Sequence, residues 1–178
     1  MDVFVRYIGL GFQHVIPLGA DHILFITALF FLNSKIKTAI IQCSLFTIAH
    51  SLTLALVASG YLQINSRLVE SVIALSIFFV ALENLFESKI KPWRLVLVFA
   101  FGLVHGMGFA SSLKEIGMPH TEFIPALFGF NVGVELAQFT VVICCYFGIA
   151  KWLAQKDWYH ANVVRPVSLL IAGIGLFW

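Results

Sequence analysis

Residues 123–150 of this chain read FIPALFGFNVGVELAQFTVVICCYFGIA, a run of 28 residues with one charged side chain, that of Glu135. A helix that crosses a bilayer needs about 20 apolar residues, so this run is long enough to cross. The whole chain has the same character: 60% of its 178 residues are hydrophobic, 11% are charged, and the mean hydropathy is +0.96. Typical soluble domains are about 45–50% apolar and about 25% charged. The sequence therefore predicts an all-α integral membrane protein and excludes a soluble fold or a disordered chain.

About six transmembrane helices are predicted, forming one polytopic membrane domain over residues 1–178. The spans are approximately 18–32, 38–59, 68–86, 93–113, 123–150 and 163–178. The preceding segment, Val3–Val15, is apolar but too short to cross, and it contains Arg6 and His14. We expect it to form an interfacial helix or the first half of a bent first helix, because Pro17 and Gly19 supply a break.

The basic residues are unevenly distributed between the predicted loops. The loops after spans one, three and five contain eight of the 11 Lys and Arg residues, and the other side contains three. Positive loops stay in the cytoplasm, so we predict a multi-pass protein of the cell (inner) membrane with its N-terminus outside. The net charge of +2, without a basic stripe, argues against a nucleic-acid partner. No GxxxxGK[ST] motif is present, which argues against a nucleotide partner.

Several ionisable and amide side chains lie inside the predicted spans, where they are costly and usually functional. With the predicted topology, five spans bring such groups to the outer half of the membrane or to its midplane. These groups are Asp21 and His22, His50, Glu70, His105, and Asn131 with Glu135. Glu83 alone belongs to the inner half. Because scattered packing residues would not share a depth, the convergence predicts one polar site.

Imidazoles combined with carboxylates suit a divalent nickel, cobalt, zinc or copper ion. The residues predicted as ligands from their types and depths are Asp21, His22, His50, His105 and Glu135. Supporting hydrogen-bond partners are expected from Thr47, Ser51, Asn131 and Gln138. Glu70 and Glu83 are expected either to lie on the same pathway or to be solvated or paired groups, Glu83 with Lys89. A proton relay would use the same residue types, so the types alone leave both chemistries open.

Five stretches of the chain resemble the HupE/UreJ family of small membrane proteins. They are GFQHVIPLGADHILF from Gly11, FTIAHSLTL from Phe46, the segment Val69–Ser76, FGLVHGMGFA from Phe101, and FNVGVE from Phe130. The resemblance implies a six-helix membrane protein with a nickel or cobalt permease role. It also implies metal positions at His14, Asp21, His22 and His50. Six residues separate His14 from Asp21, where the hydrogenase-linked branch has five, and Thr47, Ser51 and Thr53 replace its His, Gly and Glu. The chain therefore resembles a divergent branch.

These predictions are compatible with two main functions and with a third role that involves no transport. The first is a permease for a divalent transition-metal ion, whose partners are the lipid bilayer and the metal; a homo-oligomer is left open. The alternative is an intramembrane zinc-dependent hydrolase or transferase at the outer leaflet, with Glu135 or Glu70 as general base. A sensor or assembly role without transport is a third reading.

Overall fold

The computed structural model describes residues 2–62, 65–86, 91–116 and 122–178, without the side chains of residues 109–116. These described residues form seven helices and no strand. The helices are α1 (Val3–Val15), α2 (Ala20–Phe31), α3 (Ile36–Ala58), α4 (Ser66–Phe86), α5 (Trp93–Ile116), α6 (Phe123–Leu153) and α7 (His160–Phe177). The predicted all-α class is confirmed, and α2–α7 begin and end within three residues of the predicted spans.

The helices differ in their ability to cross a membrane. Four helices, α3, α4, α6 and α7, are each long and apolar enough to cross a membrane. Helices α1 and α2 are long and apolar enough only when they are taken together, and they are bent by 72° relative to one another. The described apolar part of α5, Trp93–Gly108, is shorter than a full span. The described residues therefore contain four clear spans, or five with the bent pair, and α5 is the remaining helix of the six that the sequence predicts.

The bend between α1 and α2 follows from local sequence. Asp2 caps the start of α1 by accepting a hydrogen bond from the backbone N–H of Phe4 at 3.2 Å. Helix α1 ends before Ile16, which is extended (φ −124°, ψ 114°), because a residue that precedes proline disfavours the helical region. Gly19 then stands before the first turn of α2. The two helices meet at an angle of 72°, and the position of α1 relative to the membrane interface stays a prediction.

Helix α1 packs against α6 through two glycines spaced by four residues. A Cβ atom on Gly129 would lie 2.6 Å from the carbonyl oxygen of Phe4, and one on Gly133 would lie 2.1 Å from that of Ile8. Both positions therefore need a residue without a side chain, as in small-xxx-small contacts between membrane helices. Because Phe4 pairs with Gly129 and Ile8 with Gly133, the two helices run in the same direction.

A second glycine pair brings α5 against α3. A Cβ atom on Gly102 would lie 2.6 Å from the carbonyl oxygen of Phe46, and one on Gly106 would lie 2.2 Å from that of His50. Across the same contact, the Thr53 hydroxyl donates to the carbonyl oxygen of Leu103 at 2.7 Å. The contact holds the backbone of α5 directly on the part of α3 that carries His50.

Helix α4 is joined to α2 and α7 by a buried amide. The Asn84 side chain is fully buried and donates to the carbonyl oxygen of Ala28 at 2.8 Å and to the hydroxyl of Ser168 at 3.2 Å. Large apolar side chains point outward instead, among them Leu68, Phe128 and Leu170. This distribution, polar inside and apolar outside, is that of a bundle surrounded by lipid.

Candidate metal centre

The break between α1 and α2 brings two histidines together. His14 lies in the last turn of α1 and His22 in the first turn of α2, and their ring centroids are 4.6 Å apart. Gly19 is needed here, because a Cβ atom on it would lie 2.3 Å from the carbonyl oxygen of His14. The bend therefore creates the pair, which a continuous helix would separate by about 12 Å along its axis.

His50 of α3 completes a group of three imidazoles. Its ring centroid lies 6.0 Å from that of His14 and 5.9 Å from that of His22. One ring nitrogen from each histidine lies within 4.8 Å of the others, the one such potential metal-binding group among the described residues. Nitrogens bound to one ion at 2.0–2.1 Å lie about 3.4 Å apart, so closing on an ion requires shifts of about an ångström.

The hydrogen bonds of His22 orient it towards such an ion. Its Nδ1 lies 3.2 Å from a carboxylate oxygen of Asp21, and its buried Nε2 has no hydrogen-bond partner among the residues that the structure describes. A carboxylate can only accept, so Nδ1 carries the hydrogen and Nε2 keeps its lone pair. This carboxylate–histidine pairing is the usual way in which a protein orients a metal-binding imidazole.

His105 of α5 is oriented in the same way. Its Nδ1 lies 2.9 Å from the carbonyl oxygen of Phe101, which can only accept, so its lone pair is on Nε2. That nitrogen is buried and has no partner in the described ranges of the chain, and the ring centroid lies 5.2 Å from that of His22. His105 is therefore next to the three-histidine group and can extend it to four nitrogens.

The centre is shielded from solvent, and several of its ring nitrogens have no hydrogen-bond partner within the described part of the chain. The side chains of His22, His50 and His105 are 2%, 0% and 1% exposed. Neither ring nitrogen of His50 makes a well-formed hydrogen bond, although the Asn131 side chain faces it. Buried polar atoms without partners are costly and uncommon, so several of them around one point indicate a bound ligand.

Aromatic rings close the centre on one side. The Phe46 ring lies 4.9 Å from His105 and 5.8 Å from His22, and the Phe25 ring lies 5.2 Å from Phe46. Both phenylalanines are about 1% exposed. They separate the imidazoles from the ends of α3 and α5 that carry Gln42 and Arg94.

Glu135, which the sequence predicts as a ligand, lies in a neighbouring groove. One of its carboxylate oxygens accepts a hydrogen bond from Ser44 at 2.5 Å. The groove between α3 and α6 encloses about 440 Å³ and is also lined by Thr47, Ser51 and Asn131. Asn131 lines this groove and also faces His50, so its side chain is shared by the groove and the metal centre.

The predicted supporting residues make different contacts. The Thr47 hydroxyl donates to the side-chain oxygen of Gln138 at 3.0 Å, and the Ser51 hydroxyl donates to the backbone of Thr47 at 2.6 Å. The first of these bonds holds α3 against α6, and the second lies within α3. Glu70 lines a pocket of about 300 Å³ together with Asp21, so it lies beside the centre.

Glu83 lies at the far end of the bundle, paired with Arg94. Lys89, the partner considered from the sequence, lies outside the described residues. Sequence reasoning treated Arg94 as a loop charge and did not consider Gln42 or Asn84. The available signal was their position: all three are polar residues inside segments that the sequence predicts to cross the membrane.

The fold and the centre define an integral membrane protein with buried imidazoles suited to a divalent metal ion. A family model described as HupE / UreJ protein matches residues 1–178. The chain belongs to this family, as its motifs indicate, and the family is linked to nickel and cobalt transport. No curated protein and no solved structure matches the chain.

Proposed function

We propose that this protein is a membrane permease for a divalent transition-metal ion of the nickel or cobalt type. The observation that carries the proposal is the group of His14, His22 and His50, whose nitrogens lie within 4.8 Å of one another. Neutral imidazoles bind nickel, cobalt, zinc and copper ions and discriminate against calcium and magnesium, which prefer oxygen. His105 is the proposed fourth ligand.

The pocket beside the centre is the proposed entrance. Asp21 and Glu70 line it together, and Asp21 also contacts His22. Two carboxylates at the mouth attract a divalent cation and help to replace its hydration shell. In the predicted topology this pocket faces outward, so the ion moves towards the cytoplasm.

The membrane potential supplies a sufficient driving force for inward movement. A charge gains about 2.3 kcal/mol per 100 mV, so a divalent ion gains about 4–5 kcal/mol. Entry by a permease therefore needs no nucleotide, consistent with the sequence.

The test is nickel uptake into sealed vesicles that contain the purified protein and an internal metal-sensitive dye. The His22→Ala/His50→Ala double variant removes two of the three imidazoles and is expected to lose uptake and nickel binding. The matched control is His160→Ala, because His160 begins α7, outside the group. Equal uptake by the wild type and the double variant would refute the proposal. Zinc that stays bound without any uptake would favour the hydrolase instead.

A further inference from the structure

A second cluster of buried polar side chains lies away from the imidazoles. The Arg94 guanidinium, 1% exposed, donates from Nη1 to the carboxylate of Glu83 and from Nε to the side-chain oxygen of Gln42 at 3.0 Å. Gln42 is itself anchored by donating to the carbonyl oxygen of Thr38 at 3.3 Å. One cation is thus held by oxygens from α3 and α4.

This cluster lies in line with the metal centre. On α3, His50, Phe46 and Gln42 are spaced by four residues and share one face, so Gln42 lies about 12 Å along the axis from His50. On α5, Arg94 lies 11 residues before His105, or about 16 Å. Phe25 and Phe46, with ring centroids 5.2 Å apart, lie between the two levels.

We propose that Glu83 and Gln42 form a second cation site on the metal pathway, occupied in this conformation by Arg94 as a tethered cation. While Arg94 is seated, its charge repels a metal ion and its side chain fills the space that the ion would enter. When Arg94 leaves, the carboxylate and the amide oxygen receive the metal. The role as a gate rests on the proposed permease function, whereas the presence of a cation site does not.

Three features indicate a cation that can leave. First, Nη2 of Arg94 is buried without a hydrogen-bond partner among the described residues, so the guanidinium is not fully held. Second, Arg94 is the second residue of α5, where a small change at the helix end moves the side chain. Third, the neighbouring Asn84 fixes α4 to α2 and α7 by separate hydrogen bonds, so α4 does not depend on Arg94 for its position.

The oxygen ligands also suit the passage of a metal. A carboxylate and an amide oxygen bind divalent ions more weakly than a group of imidazoles binds nickel or cobalt. A weaker site after a stronger one favours release of the metal ion, because an ion that passes through a protein must be bound weakly enough to dissociate.

The experiment counts bound nickel ions per chain by calorimetric titration of the purified protein in detergent. Arg94→Gln is expected to bind one more nickel ion than the wild type, and the Glu83→Gln/Arg94→Gln double variant is expected to lose that extra ion. Arg165→Gln, which removes an exposed arginine at the start of the last helical segment, is the matched control and should leave the count unchanged. A folded Arg94→Gln protein with the wild-type count would overturn the proposal.

A second measurement covers the case in which Arg94→Gln does not fold. The double variant replaces the ion pair by two neutral amides, of which the one at position 94 is shorter than the arginine, and it tests the gate directly. In nickel-loaded vesicles its passive efflux should exceed that of the wild type by about tenfold or more, and equal efflux would overturn the proposal. The wild-type uptake assay tests the permease function separately, because an extra ion in Arg94→Gln is counted whether or not the wild type transports.

Discussion

Replacement of Gly106 by alanine tests whether the α3–α5 contact holds the metal centre in shape. The added Cβ atom would lie 2.2 Å from the carbonyl oxygen of His50 and 2.3 Å from the hydroxyl of Thr53. An ordinary contact begins near 3.4 Å, so the two helices must separate by about 1.2 Å. The backbone carbonyl cannot rotate away as a side chain could.

The stability lost in Gly106→Ala can be measured relative to Gly173→Ala, a matched variant. Nothing lies within 4 Å of a Cβ atom on Gly173, so Gly173→Ala gains only the helix propensity of alanine, about 1 kcal/mol. Gly106→Ala has the same gain but also overpacks, at a cost of about 1–3 kcal/mol. The free energies of unfolding of the two variants should differ by that amount. Displacement of His50 should also weaken nickel binding by roughly 10–100-fold, the usual effect of disturbing the support of a metal ligand.

Thermal unfolding in detergent measures the stability of the two variants, and calorimetric titration with nickel measures their affinity. The reasoning is refuted if Gly106→Ala matches Gly173→Ala in both. A loss of stability with unchanged nickel affinity would show that the contact stabilises the fold without positioning His50.

Three further predictions concern single side chains. Because protons compete with metal for imidazole nitrogens, nickel affinity should fall as the pH is lowered. In calorimetric titrations, His105→Ala should bind nickel more weakly than the wild type, and its affinity should fall less steeply with pH. The same dependence of affinity on pH in both proteins would show that His105 is a packing residue. Asn84→Ala should lower the free energy of unfolding by about 1–3 kcal/mol, because two buried hydrogen bonds are lost, whereas the exposed Asn162→Ala should change it little. Burial raises the pKa of the Tyr159 phenol, an effect that its hydrogen bond with Ser34 opposes, so the unfolded chain ionises first and stability should fall as the pH rises above about 10. Unfolding curves of Tyr159→Phe should lack that part of the decline, and identical pH slopes would contradict the assignment.

The fold class could be predicted from the sequence because it depends on local composition. Long apolar runs can satisfy their backbone within a membrane only as helices, so lengths and bounds follow from the sequence itself. The approach of His22, His50 and His105 to one another could also be predicted, because rise per residue and loop charge are local quantities.

The contacts between distant elements could not be worked out in the same way. Glu135 lies four residues from Asn131, on the same face of α6, yet its carboxylate reaches Ser44 rather than the imidazoles. The contact that Glu135 makes depends on how α3 packs against α6, and the helical periodicity of the sequence does not predict that packing. Arg94 is the second residue of α5, and from the sequence it is counted among the cytoplasmic loop charges. In the structure its side chain is buried.

The parallel seating of α1 on Gly129 and Gly133 has a consequence for biogenesis. Ribosomes add roughly 5–20 residues per second, so Gly129 and Gly133 are synthesised about 6–25 seconds after Phe4 and Ile8, their contacts 125 residues earlier in the chain. Until then α1, too short to cross alone, lacks the surface of α6 on which it packs, while α2 and α3, which carry His22 and His50, have already been synthesised. We therefore expect His14, the first imidazole to be synthesised, to be fixed in place last, once α6 has been inserted and the group of three nitrogens can close.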